Sequence, residues 1–303
     1  MNDSILIIGA GELGLAMIDA FAKKLKTNQG SLNVLLKKES IESSDKRKIQ
    51  RLCDFEMNHI GVTPGDLEKD SIATLSGIFS KFGTIINCSG FVGGQGTQIK
   101  ITKAVLNAQV HTYVPWQFGV DYDIVGKGSG QPVWDEQYDV RELLRSQNIT
   151  DWIIVSTGIF TSYLYSSDFG IVDLKEKIVH ALGDWNYKVT VTTPEDIGRL
   201  TAEIVFFVPK IKNEIVFVAG DTLSYEELAN ITEHVVGEPF KRALLSMSDL
   251  TKAVEEDENN VAAKYRIAFA RPDGVAWEKT STFNFRHNIK VSDVKDWLMK
   301  SMS

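Results

Sequence analysis

Hydrophobic and polar positions follow two periods along this chain. Ile5-Leu6-Ile7-Ile8 is an unbroken apolar run that stops at Gly9. A strand covered on both faces reads this way. From Leu13 the period changes. Leu13, Ala16, Met17, Ala20, Phe21 and Leu25 fall at i, i+3, i+4 spacing, which predicts a helix over residues 13–26 with one buried face. Asn28-Gln29-Gly30 breaks it, and Leu32–Leu36 reads as a second strand. The pattern then repeats. Helices are expected over 45–57, 70–81 and 97–110, and strands over 60–62, 84–88 and 112–114. Thr63-Pro64-Gly65-Asp66 reads as a turn. Strand and helix in regular alternation specify a parallel, doubly wound sheet, an α/β fold of Rossmann type.

Further on, a helix is expected over 134–146, and strands over 152–155, 189–192 and 215–218. Thr193-Pro194-Glu195-Asp196 carries helix-start chemistry: a threonine cap, proline at the first position and acids in the first turn. Ser224-x-x-Glu227 is a capping box opening a helix to about His234. Beyond Leu223 the alternation weakens. We therefore expect residues 1–160 and 185–222 to form the sheet domain. Residues 161–184 and 223–303 would form a smaller C-terminal lobe covering a substrate.

The candidate chemistry sits where the first strand meets the first helix. Gly9-Ala10-Gly11-Glu12-Leu13-Gly14 matches Gly-x-Gly-x-x-Gly in strand–turn–helix context. In the dinucleotide fingerprint, Gly9 makes the tight turn and Gly11 lets the backbone approach a pyrophosphate. Gly14 lets the helix pack close. The phosphates, flanked by Glu12 and Leu13, would meet the free N–H groups of a helix N-terminus. The alternative is a purely structural strand–turn–helix. An NAD site places an acid at the end of the second strand. Here the tip is Lys37-Lys38, with Lys46-Arg47-Lys48 following, although Glu39 dissents. Cations there suit the 2′-phosphate of NADP(H); a solvated basic helix start is the plainer reading. Ser89, Gly90 and Phe91 open a glycine-rich loop at the carboxyl end of the fourth strand. Such loops face the cofactor crevice.

Composition narrows the function classes. With 43% hydrophobic and 24% charged residues among 303, the chain reads as an ordinary globular protein. No apolar run is long enough for a membrane span, and no secretory pattern is visible. The net charge of −7 argues against nucleic acid as a partner. Cys53 and Cys88 do not make a disulfide framework; they suggest a reducing, cytoplasmic setting and two buried packing residues. No Cys/His spacing suggests a metal site. A small-molecule substrate is the expected partner, and an oligomer is left open.

At Tyr113-Val114-Pro115-Trp116-Gln117-Phe118-Gly119-Val120-Asp121-Tyr122 the chain resembles the NmrA-like and isoflavone-reductase-like proteins, atypical short-chain dehydrogenases, and most of all their fungal branch. Similar stretches recur at 134–145, 154–160, 189–204 and 219–225. The resemblance implies NADP(H) binding and a reductase acting on a small aromatic or apolar substrate. It also allows two alternatives, a dinucleotide-binding regulator with little turnover or a non-redox isomerase holding its cofactor. It assigns Lys37 and Lys46 to the 2′-phosphate. Pro115, Trp116, Gln117 and Phe118 match the family's Pro-Ser-Glu-Phe-Gly segment beside the nicotinamide. The family's catalytic lysine stands three residues before Val-Arg; here Gln137 occupies that place before Val140-Arg141. An amide neither gives nor takes a proton at neutral pH. No tyrosine has a lysine four residues on. Substitute acids to consider are Tyr138 first, then Asp121, Tyr122, Tyr163 and Tyr165. His111, Asp135 and Glu136 are weaker candidates.

Overall fold

The computed structural model describes residues 3–303. The first half runs β1 (Ser4–Ile8), α1 (Glu12–Leu25), β2 (Ser31–Leu36), α2 (Lys38–Ile41), α3 (Lys46–Met57), β3 (Ile60–Pro64), α4 (Ile72–Phe79), β4 (Thr84–Asn87), α5 (Thr97–Asn107), β5 (Thr112–Val114), α6 (Tyr122–Val125), α7 (Pro132–Arg145) and β6 (Asp151–Ser156). Short strands follow: β7 (Ile159–Phe160), β8 (Val172–Asp173), β9 (Ile178–Leu182) and β10 (Lys188–Thr192). The remainder is α8 (Pro194–Val205), β11 (Glu214–Phe217), β12 (Asp221–Ser224), α9 (Tyr225–Val236), β13 (Lys241–Leu245), α10 (Met247–Glu256), α11 (Val261–Phe269), α12 (Phe283–Arg286) and α13 (Val294–Met302).

The main sheet has seven strands in the order β11-β6-β5-β4-β1-β2-β3, and β1 pairs in parallel with both β2 and β4. Crossover helices cover both faces of such a sheet, and this is why β1 is apolar at every position from Ile5 to Ile8. On one face Leu6, Ile8 and Ile85 pack with Leu75, Phe79, Ile101, Val105, Val140 and Leu144 from α4, α5 and α7. Elsewhere on α1, Met17 and Phe21 are buried, and Phe21 meets Phe206 beyond α8 with ring centroids 5.9 Å apart.

Packing divides the chain into two units of nearly equal size. The first holds the residues up to Gln117, Asp139–Val155 and Ile197–Ile215; the second holds Phe118–Tyr138, Ser156–Asp196 and Val216–Ser303. These bounds differ from the expected 1–160 and 185–222 division. The strand expected at 189–192 lies outside the main sheet: β10 sits between β12 and β7 in a three-stranded sheet of the second unit. A third sheet, β13-β9-β8, pairs Ile178 with Lys241 in parallel, a contact between segments far apart in sequence that local pattern cannot announce.

Several local expectations need correction. Thr63-Pro64 continues β3 rather than turning, because Leu35 and Leu36 of β2 still pair with it. The short helices α2, α6 and α12 were not expected. Cys88 is buried as foreseen, but Cys53 is exposed, since it falls on the outer face of α3. The Ser224–Glu227 capping box is formed, and a second one, Ser246 with Asp249, opens α10.

Candidate functional site

The strand order reverses at β1: the chain passes to β2 on one side, and β4 lies on the other. Ligands of such sheets bind beyond the carboxyl ends of the strands at this switch point. The loop after β1 is shaped for close approach. Gly9 has φ +96°, and a Cβ there would stand 3.0 Å from the Cys88 carbonyl oxygen. A Cβ at Gly14 would stand 2.3 Å from the Gly9 carbonyl oxygen, so the helix packs against its own entry loop. Gly11 differs. A Cβ there would meet nothing within 4 Å, and Gly11 is the cap residue of α1 with no side-chain hydrogen bond to the helix. The first-turn N–H groups therefore lack a side-chain cap beside open space, the arrangement that receives an anion. Leu13 is buried, so only its backbone can serve a ligand; Glu12 is exposed.

The loop after β4 is held by a buried polar network. Asn87 Nδ2 donates to Gln98 Oε1 at 2.8 Å, and Gln98 Nε2 donates to the Gly90 carbonyl at 2.7 Å and to Ser89 Oγ at 3.2 Å. The Ser89 N–H donates to Asn87 Oδ1 at 3.0 Å. Burial raises the Tyr113 hydroxyl to about 12, so it stays a neutral partner of this network. Gly90 has φ +64°, and the next side chain, Phe91, is 51% exposed. Its ring meets Trp116 edge-to-face, centroids 6.4 Å apart. Pro115 and Gln117 are buried and Trp116 half-buried at the end of β5. Gln117 Oε1 accepts a 2.9 Å hydrogen bond from Nε of Arg141, which is fully buried.

At the end of β2, Lys37 is ion-paired with Glu68 and lies 3.9 Å from Asp66. The hydrogen bond to Glu68 holds its pKa above the ordinary lysine value. Lys69 pairs with Glu39 at 3.0 Å and Asp66 at 3.7 Å. Lys46 is exposed at the first position of α3, whose cap Asp45 accepts from the Arg47 and Lys48 N–H groups. A cleft of about 180 Å³ lies next to the glycine loop, lined by Ala10, Leu36, Ser40, Lys48, Arg51 and Leu52. Arg51 Nη1 donates to the Ala10 carbonyl at 3.1 Å. Lys48 belongs to the Lys46-Arg47-Lys48 cation cluster read from the sequence, whereas Ser40 and Arg51 were not singled out there. The spacing of Lys48 and Arg51, three apart on a helix, was the available clue.

The remaining candidates belong to the second unit. Phe118 is buried. Gln137 is 1% exposed on α7, and Tyr138 is half-buried with Lys127 Nζ 5.7 Å from its ring centroid. Glu136 is buried, and Asp135 Oδ1 accepts from the Gly128 N–H at 3.0 Å. Asp121 caps α6, and Tyr122 packs edge-to-face on Trp134. Tyr165 stacks on Trp297, and burial pushes its hydroxyl up to about 12. Burial, then Asp168, also raises Tyr163. His111, in the first unit, precedes β5 and so sits at the amino edge of the sheet, opposite the loops just described. Among the described residues no cluster of three or more His, Cys, Asp or Glu side chains could hold a metal, and no helix is long and apolar enough to cross a membrane.

Comparison with known proteins follows this geometry. The profile of the NmrA-like family matches residues 1–281. An NmrA-like family domain-containing oxidoreductase of Gibberella moniliformis is 44% identical over 98% of each chain. Among solved structures, an isoflavone reductase superposes with a TM-score of 0.81 over the whole of both chains at 19% identity. The leucoanthocyanidin reductase–NADPH complex of Vitis vinifera gives 0.79 over 98% of each chain, also at 19% identity. Family profile and fungal relative agree, and the chain belongs to the NmrA-like family.

Proposed function

We propose that this protein is an NADP(H)-dependent, isoflavone-reductase-like oxidoreductase for a small aromatic or apolar substrate, with Gln137 in place of the family's lysine. One observation carries the reading: α1 begins without a side-chain cap beside open space at Gly11, next to a cleft holding Lys48 and Arg51. The residues fit the cofactor. The α1 N–H groups suit its pyrophosphate, and cations near the end of β2 suit its 2′-phosphate. Ser89, Gly90 and Phe91 would contact the cofactor from the β4 side, and Pro115, Trp116 and Gln117 from the end of β5. The NADPH bound to leucoanthocyanidin reductase supports this choice of cofactor.

When bound, the nicotinamide supplies the hydride. The chain must orient the substrate, exclude water and deliver a proton. Gln137 can donate a hydrogen bond but no proton. Tyr138 offers a phenol at the next position of α7, about 100° further round the helix. Positioned acid catalysis contributes roughly 10²–10⁴-fold, and its loss here favours slow reduction. The same residue favours a second reading, a dinucleotide-binding protein with little turnover.

The test is fluorescence titration with NADPH and NADH, followed by NADPH consumption across enone, quinone and benzylic ether substrates. Tighter NADPH binding with slow consumption is expected. Equal affinity for the two cofactors would overturn the NADP(H) assignment. Binding with no consumption throughout would leave the second reading in place.

A further inference from the structure

We infer that Arg51 and Lys48 of α3, with the Ser40 hydroxyl, discriminate the 2′-phosphate, and that Lys37 is a structural strut joining the ends of β2 and β3. This rests on the NADP(H) reading above and deepens it.

Local charge separates Lys37 from the cations of α3. Around Lys37 stand Lys69, Asp66, Glu68 and Glu39, all connected by ion pairs. Within these ion pairs two ammonium groups face three carboxylates, and the Lys100 ammonium, bonded to the Leu67 and Glu68 carbonyl oxygens, brings the neighbourhood to balance. A phosphate dianion placed there meets a carboxylate for every cation it approaches, and like charges at contact distance cost energy even near the surface. Lys37 would also have to abandon Glu68, whose hydrogen bond stabilises its charged form. The pairing instead holds Lys37 against residues that follow β3.

The neighbouring cleft differs in character. Its six lining residues include Lys48 and Arg51 and no carboxylate. Of the acids close by in sequence, Glu39 pairs with Lys69, Asp45 accepts from the Arg47 and Lys48 backbone N–H groups, and Asp54 accepts from Gln50 Nε2 at 2.9 Å. Arg51 is half-buried and tied to the Ala10 carbonyl, inside the glycine loop itself. A guanidinium has five N–H donors; one bond to Ala10 leaves the others for phosphate oxygens, in the planar fork that suits them. Lys48 lies one turn earlier on the same helix side, and Leu36 and Leu52 give apolar walls. Holding the arginine in place beforehand reduces the ordering cost of binding.

The experiment titrates the full-length chain with NADPH and with NADH, in wild type and in Arg51→Ala, Arg51→Gln, Lys48→Ala and Lys37→Ala. Circular dichroism melts report folding. Arg51→Ala and Lys48→Ala should weaken NADPH about 10- to 100-fold, the worth of a hydrogen bond to a charged group, and leave NADH unchanged. Arg51→Gln should behave like Arg51→Ala, since it keeps a donor for Ala10 but loses the charge. Lys37→Ala should lower the melting temperature and preserve the NADPH/NADH ratio. Collapse of that ratio in Lys37→Ala, with Arg51→Ala retaining it, overturns the inference. So does equal loss of both cofactors in Arg51→Ala with recovery in Arg51→Gln, which would make Arg51 a clamp on the loop alone. Should Arg51→Ala not fold, Lys48→Ala, on an exposed side chain, still decides the charge argument. A wild type that binds neither cofactor overturns the cofactor reading itself, and this inference with it.

Discussion

Gln98 Nε2 donates to the Gly90 carbonyl oxygen at 2.7 Å, fastening the first turn of α5 to the loop that leaves β4. Gln98 is buried and also receives Asn87 Nδ2. Gln98→Leu keeps much of the volume and removes these two bonds and the one to Ser89 Oγ, stranding buried polar groups at about 1–3 kcal/mol each. We expect a lower unfolding midpoint in urea. Because the loop rather than the 2′-phosphate is disturbed, NADPH and NADH binding should weaken together. Selective loss of one cofactor would contradict this role.

Gly14 and Gly11 of the fingerprint should separate by substitution to alanine. Gly14→Ala drives a methyl to 2.3 Å from the Gly9 carbonyl, where only backbone can give way. Overpacking of that kind costs roughly 1–3 kcal/mol or more. Gly11→Ala meets no atom, at φ −76° and ψ −165° that any residue accepts. It should melt like wild type and lose dinucleotide affinity. Thermal melts and titration on the same samples check both halves.

Arg141 should matter for stability before it matters for chemistry. It is fully buried and donates to Gln117. Arg141→Met leaves the Gln117 oxygen without this charge-assisted partner, at a cost of about 1.5–3 kcal/mol. The expected result is a shifted urea midpoint with an unchanged m-value.

Gln137→Lys tests whether a proton donor at this position changes the reaction. The site is 1% exposed, so burial would lower the new lysine's pKa toward neutrality. We expect unchanged NADPH affinity and faster NADPH consumption with any substrate the pocket accepts. The rate should acquire a new limb in its pH profile. Faster consumption with no such limb would assign the proton to water or to another residue.

His180 predicts a pH effect on stability. Burial first, with Arg266 and Lys241 nearby, holds its pKa below 6.5, against the raising influence of the Gly170 carbonyl bond and Asp173. The folded state therefore prefers neutral His180. The stability it contributes is present above about pH 6.5 and lost as pH falls below that toward the depressed value. His180→Gln should reduce the fall in melting temperature between pH 7 and pH 5, measured against wild type in the same buffers.

Much of the first unit was legible because its causes are local. The apolar run Ile5–Ile8, the change of period at Leu13 and the glycines between them specify strand, turn and helix within a dozen residues. β1, α1, β4 and β5 fall within a residue or two of their expected places. Strand pairing in the second unit was not legible. β9 and β13 are joined by hydrogen bonds across some sixty residues, and register between distant segments depends on the whole fold. The charges followed the same division. Lysine at the end of β2 was readable, but that its neighbours in space are Asp66 and Glu68 was not. Nor could sequence place Arg51 against Ala10, forty-one positions away. The sequence by itself determined the alternating sheet and the fingerprint and put glutamine at position 137, all set by short-range period or by residue identity. Which carboxylates pair with Lys37, and which cleft Lys48 and Arg51 line, was decided only by tertiary structure, because an ion pair depends on distance in space.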